Sequence, residues 1–103
     1  MNAYEVHLSL QVTPADSHAL GDIADFLAEA LADIDDHDAS LMDWSLGLDT
    51  SASRVDIDMT VEAEHHANAI SHAHGLVRSA TSEVSSATGA AFSDSGNSIR
   101  VFA

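Results

Sequence analysis

Cysteine is absent from the 103-residue chain, and so is lysine; the only full-time cations are three arginines. Without cysteine there is no disulfide, no thiolate nucleophile and no thiolate-held zinc. With so few cations the chain has little to neutralise phosphate, which excludes nucleic-acid binding and disfavours anionic membrane surfaces. No apolar run approaches the roughly 20 residues that span a bilayer. Met1 to Glu5 carries no positive charge ahead of an apolar block, so no signal peptide is expected and cytoplasm is the default location. Proline occurs once, and aromatic residues make up 5% of the chain.

What is present is acid, alanine and serine. Seventeen Asp and Glu against three Arg give a formal net charge of -14. An Asp-rich, lysine-free surface suits a salt-rich medium, and a charge chosen to bind cations or a basic partner is the functional alternative. Apolar content of 46% is ordinary for a globular protein. The length supports one domain, residues 1–103, with one core.

Tyr4, Val6, Leu8, Leu10 and Val12 alternate with polar residues, the period of a strand with one buried face. At Thr13-Pro14 the period changes. Leu20, Ile23, Leu27, Leu31 and Ile34 recur at threes and fours, with Ala24, Ala28 and Ala30, the period of a helix with one apolar stripe. Thr13 suits the N-cap, Pro14 the first helical position and Asp16 a capping box. The helix is expected to end in the polar run 33–38, which reads as a loop. Met42, Trp44, Leu46 and Leu48, then Val55, Ile57, Met59, Val61 and Ala63, alternate as two strands of a hairpin with a four- to five-residue loop. A second helix is expected from Glu64, with Ile70, Val77 and Val84 at sevens, Gly75 as an interruption and Gly89 as the stop. Residues 90–97 read as loop and 98–102 as a short last strand.

The order strand-helix-strand-strand-helix-strand places both helices on one face of a four-stranded antiparallel sheet, strand order 4-1-3-2. The other face then carries Glu5, His7, Ser9 and Gln11; Asp43, Ser45, Gly47 and Asp49; Asp56, Asp58, Thr60 and Glu62; and Arg100. It is polar and acidic. A sheet that stacks RNA bases needs exposed aromatics there, and a dimer closing two sheets around an apolar substrate needs an apolar face. Neither requirement is met. Trp44 alternates inward and reads as core.

This pattern resembles the ferredoxin-like α+β superfamily over nearly the whole chain, as architecture and not as motif. The Met-x-Cys-x-x-Cys loop of its heavy-metal chaperones is absent, and so is the catalytic loop Arg of its acylphosphatases. Thr13-Pro14 leading into Leu20, Ile23 and Leu27 is similar in outline to small ACT-like regulatory domains, with Ala15 where those carry glycine. That resemblance implies a homodimer and a small-molecule ligand near Thr13, Asp16 and His18.

Seven histidines invite a metal reading. No cofactor is predicted; a divalent metal is the alternative, held by His7 with Asp56 or Asp58, or by His65 and His66 with Glu62. His65 and His72 lie seven apart, roughly 10 Å along a helix axis, too far to share one ion. The run 33–38 has the composition of a divalent-cation loop but lacks the glycine and terminal Glu of an EF-hand. No Gly-x-Ser-x-Gly elbow or Gly-rich phosphate loop is present. The expectation is a non-enzymatic interaction or regulatory module that self-associates. A metal-binding protein, and an enzyme with a site between subunits, are the alternatives.

Overall fold

The computed structural model describes residues 2–13 and 19–102, with side chains described up to residue 93. Six elements follow one another: β1 (Asn2–Thr13), α1 (Leu20–His37), β2 (Leu41–Asp49), β3 (Arg54–Ala63), α2 (His66–Thr88) and β4 (Ala91–Phe102). The strands form one antiparallel sheet, order β2-β3-β1-β4, which is the expected 4-1-3-2 read from the other edge.

The core lies between the sheet and the two helices. Tyr4, Val6, Leu8, Leu10 and Val12 of β1 and Val55, Ile57, Met59 and Val61 of β3 supply its floor. These are the two central strands, so their inward side chains are covered from all sides. Ile23, Leu27 and Leu31 of α1 are fully buried against them. From α2 the buried residues are Ala69, Ala73, Val77, Ala80, Val84 and Thr88. The many alanines let α2 approach closely. Burial of each large side chain here is worth about 1.5–3 kcal/mol.

Several expectations need correction. Thr13 is not a helix cap: it is the last residue of β1, paired with Ala91, and α1 starts at Leu20 with Ala19 at its N-cap. The proline and acidic cap residues read at 14 and 16 lie outside the described residues. α1 ends within the polar run 33–38, as expected, but it continues to His37, so that only Asp38 of this run lies outside the helix. The His37 ring Nδ1–H donates to the Asp33 carbonyl at 2.8 Å, one turn back along the helix. In α2, Ala69 and Thr88 take the buried places read for Ile70 and Ala87, and Gly75 does not interrupt the helix.

Met42 is exposed because β2 carries a bulge. Leu41 faces Val61 and Asp43 faces Thr60, so Met42 is the extra residue and Leu41 takes the buried place. Trp44 and Leu46 are half-buried against the core and not fully within it. The last strand spans twelve residues, where a short one was expected. Pairing with the central strand β1 satisfies the backbone groups on its inner edge despite a Gly/Ser-rich sequence, and Ser95 is accommodated in a bulge opposite Ser9 and Leu10.

Candidate functional site

The open sheet face is built by alternation. Because Tyr4, Val6 and Leu8 point to the helices, Glu5, His7 and Ser9 point away from them. The register sets His7 opposite Asp58 and Ser9 opposite Asp56. Directly opposed residues on one face lie close enough for side-chain contact.

His7 Nδ1 donates to Asp58 Oδ1 at 2.7 Å. The Ser9 hydroxyl donates to Asp56 Oδ1 at 2.5 Å. His7 Nε2 lies 3.3 Å from Ser9 Oγ and 3.6 Å from Asp56 Oδ1. An imidazolium at this position therefore has an acceptor for each N–H. Asp56 Oδ1 also lies 3.5 Å from Arg54 Nε, and Arg54 Nη2 lies 3.5 Å from Asp49 Oδ2. The result is a polar chain across three strands: Asp49, Arg54, Asp56, Ser9, His7, Asp58. Beside Asp58 a hollow of about 300 Å³ is lined by Glu5, Asp43, Ser45 and Thr60.

Asp49 is held below the usual carboxylate range, chiefly by the Ser51 hydroxyl that donates to it at 2.8 Å. This belongs to the β2–β3 turn, where Asp49 also accepts from the Ala52 N–H.

The remaining candidate residues are dispersed. His66 stands at the start of α2, on the helix side of the sheet, with its ring edge-on to Tyr4 at a centroid distance of 5.3 Å. The sheet thus separates it from His7, and Glu62 lies on the open face opposite Ala3. Among the described residues, no three His, Asp or Glu side chains are arranged to hold one metal ion. Thr13 is exposed at the end of β1, while Asp16 and His18 lie outside the described residues.

One cluster escaped the sequence reading. His72, read as lying on the wet face of α2, reaches the turn between α1 and β2. Its Nε2 lies 3.0 Å from Asp38 Oδ2 and 2.7 Å from Ser40 Oγ. The single hydroxyl hydrogen of Ser40 goes to Asp38 Oδ1, at 2.6 Å, so His72 Nε2 carries the proton it shares with this pair. Asp38 is held below the usual carboxylate range, first by the Ser40 hydroxyl and also by His72, against the opposing effect of burial. Asp-x-Ser is a turn signal that sequence can show. That His72 would complete it depends on the packing of α2.

The fold is that of the ferredoxin-like α+β class: the element order, the sheet order and the two helices on one face all agree. No protein-family model matches the chain, and no curated protein sequence matches it. Solved structures do. A protein provisionally described as a chlorite dismutase superposes with TM-score 0.58 at 11% identity over 98% of this chain, which spans only 44% of that protein's length. A dimeric ferredoxin-like protein of unknown function from Thermobifida fusca gives TM-score 0.52 at 15% identity, with 99% of this chain and 92% of that one covered. A protein from Chloroflexus aurantiacus, provisionally described as an antibiotic biosynthesis monooxygenase, gives 0.52 at 12% identity, over 98% and 93%. At these identities the likeness is one of fold.

Proposed function

We propose that this chain is a non-enzymatic interaction module that forms a homodimer along the edge of its sheet. The observation that carries this reading is the pair of exposed apolar side chains near the two ends of β2. Met42 is 56% exposed and Leu48 41% exposed, with half-buried Trp44 and Leu46 between them. β2 is an edge strand of the sheet, so these side chains have no further strand beside them. An edge strand with exposed apolar side chains is a surface that proteins cover. The dimeric ferredoxin-like neighbour from Thermobifida fusca supports the same direction. Light scattering of the wild type across the micromolar range should return twice the monomer mass. Met42→Asp with Leu48→Asp should return the monomer with the helical circular dichroism intact. A wild type that is monomeric throughout sinks the reading.

A second reading is a small cation site on the open face, favoured by one geometry. Asp58 fixes His7 Nδ1, as a supporting carboxylate does for a metal-binding histidine, and leaves Nε2 facing Asp56. The protein ligands would be His7 and Asp56, with water completing the shell. Calorimetric titration with Zn²⁺ and Mn²⁺ should show one site, lost in His7→Ala and in Asp56→Asn. Heat unchanged by either substitution rules it out. Small-molecule binding near Thr13, Asp16 and His18 remains a proposal by resemblance, and a thermal-shift panel of amino acids and nucleotides tests it.

A further inference from the structure

The outer surface of the helix pair carries a feature that neither reading above uses. Between α1 and α2 runs a groove of about 400 Å³. Its floor is apolar: Ala30 and Val84 are buried there, and Phe26 is 39% exposed at its side. Its rim is acidic, formed by Glu29 and Asp33 of α1 and Glu83 of α2. A second hollow of about 350 Å³ adjoins it at Phe26 and Glu29, and is bounded by Asp22 and Asp25. The two hollows form one track with Phe26 at its centre and five carboxylates along it. Among the described residues, no Arg lines either hollow.

We infer that this track docks a basic amphipathic segment of a partner protein. The floor takes an apolar side chain of the partner, and the rim pairs with Lys or Arg on either side of it. Charge complementarity chooses the occupant. A second copy of this chain would bring -14 to an acidic rim. Of its three arginines, Arg54 is engaged with Asp49 and Asp56 on the open face, and Arg100 lies in β4. Arg78 lines a different hollow with Thr81. Simple cations would leave the apolar floor in water, whereas a segment carrying both kinds of residue covers floor and rim together.

The experiment uses the full chain and a synthetic amphipathic helix of Leu and Lys carrying one Trp, followed by Trp fluorescence. Saturable binding is expected. Phe26→Ala should weaken it about tenfold or more, as removal of a central aromatic anchor does. Glu29→Gln with Glu83→Gln should also weaken it, and by more than Glu62→Gln with Glu64→Gln, which removes the same charge away from the groove. Equal loss from the two double variants means diffuse attraction to an acidic surface and overturns the proposal. So does oligolysine binding as tightly as the Leu/Lys helix, since the apolar floor would then contribute nothing. Spermine that binds at Phe26 as well as the helix does would assign the track to small cations instead. A helix with Glu in place of Lys should not bind. Circular dichroism of each variant confirms that the fold persists.

Discussion

Asp38 shows how a single side chain can tie three elements together. It closes the turn after α1, receives the Ser40 hydroxyl and backbone N–H, and meets His72 of α2. Its acid is held below the usual range, so the folded chain binds the carboxylate form more strongly than the unfolded chain does. That contribution is fully present above the ordinary carboxylate value and is lost as pH falls through the lowered one. Denaturant melts from neutral pH downward should therefore lose an increment of stability below about pH 4. Asp38→Ala should remove that increment, at a cost of about 1–2 kcal/mol at neutral pH. A variant whose stability parallels the wild type throughout the acid range would contradict this. His7 belongs to the same scale. The alternation in β1 made its place on the open face legible, but its carboxylate at each end of the ring depends on the register with β3.

At the scale of elements, α2 is a long helix in which alanines alternate with weaker formers such as Ser, Thr, His and Gly. Gly75 lies near its middle, and a Cβ added there meets nothing within 4 Å. Gly75→Ala should stabilise the protein by up to about 1 kcal/mol, a rise of about 4–8 °C in melting temperature for a domain near this size. Gly89 is the opposite case. It ends α2 with φ 76°, and its N–H donates to the Ser85 carbonyl. Gly89→Ala should destabilise by about 1 kcal/mol, because a Cβ is strained in the left-handed region. Thermal melts of the two variants should move in opposite directions, and a common sign would show that the helix is governed by something other than backbone preference. The Thr88 hydroxyl, which donates to Val84 and accepts from Ala90, explains a buried polar residue at this end.

The whole molecule carries its acid on the outside of both layers. Asp22, Asp25, Glu29 and Asp33 line α1, while Glu5, Asp43, Asp56 and Asp58 line the sheet. With a net charge of -14, self-repulsion opposes the folded state, and salt screens it. Melting temperature should rise as NaCl is added, and rise less in a variant with several α1 carboxylates changed to Gln or Asn. A flat or falling curve for the wild type would show that the charge is already balanced by local pairing. Among the described residues, no helix is long and apolar enough to cross a membrane.

Sequence alone determined the order of elements, the two helices on one face and the polar character of the other, because burial imposes a period of two on a strand and of about 3.6 on a helix. Tertiary structure decided what periodicity cannot carry. It placed Met42 outside through a bulge, since one extra residue inverts the phase of a strand without changing its composition. It extended β4 through a Gly/Ser-rich stretch, because pairing with β1 outweighs weak local propensity. It also joined His72 to Asp38, and Phe26 to Glu83, across gaps of chain that only packing closes.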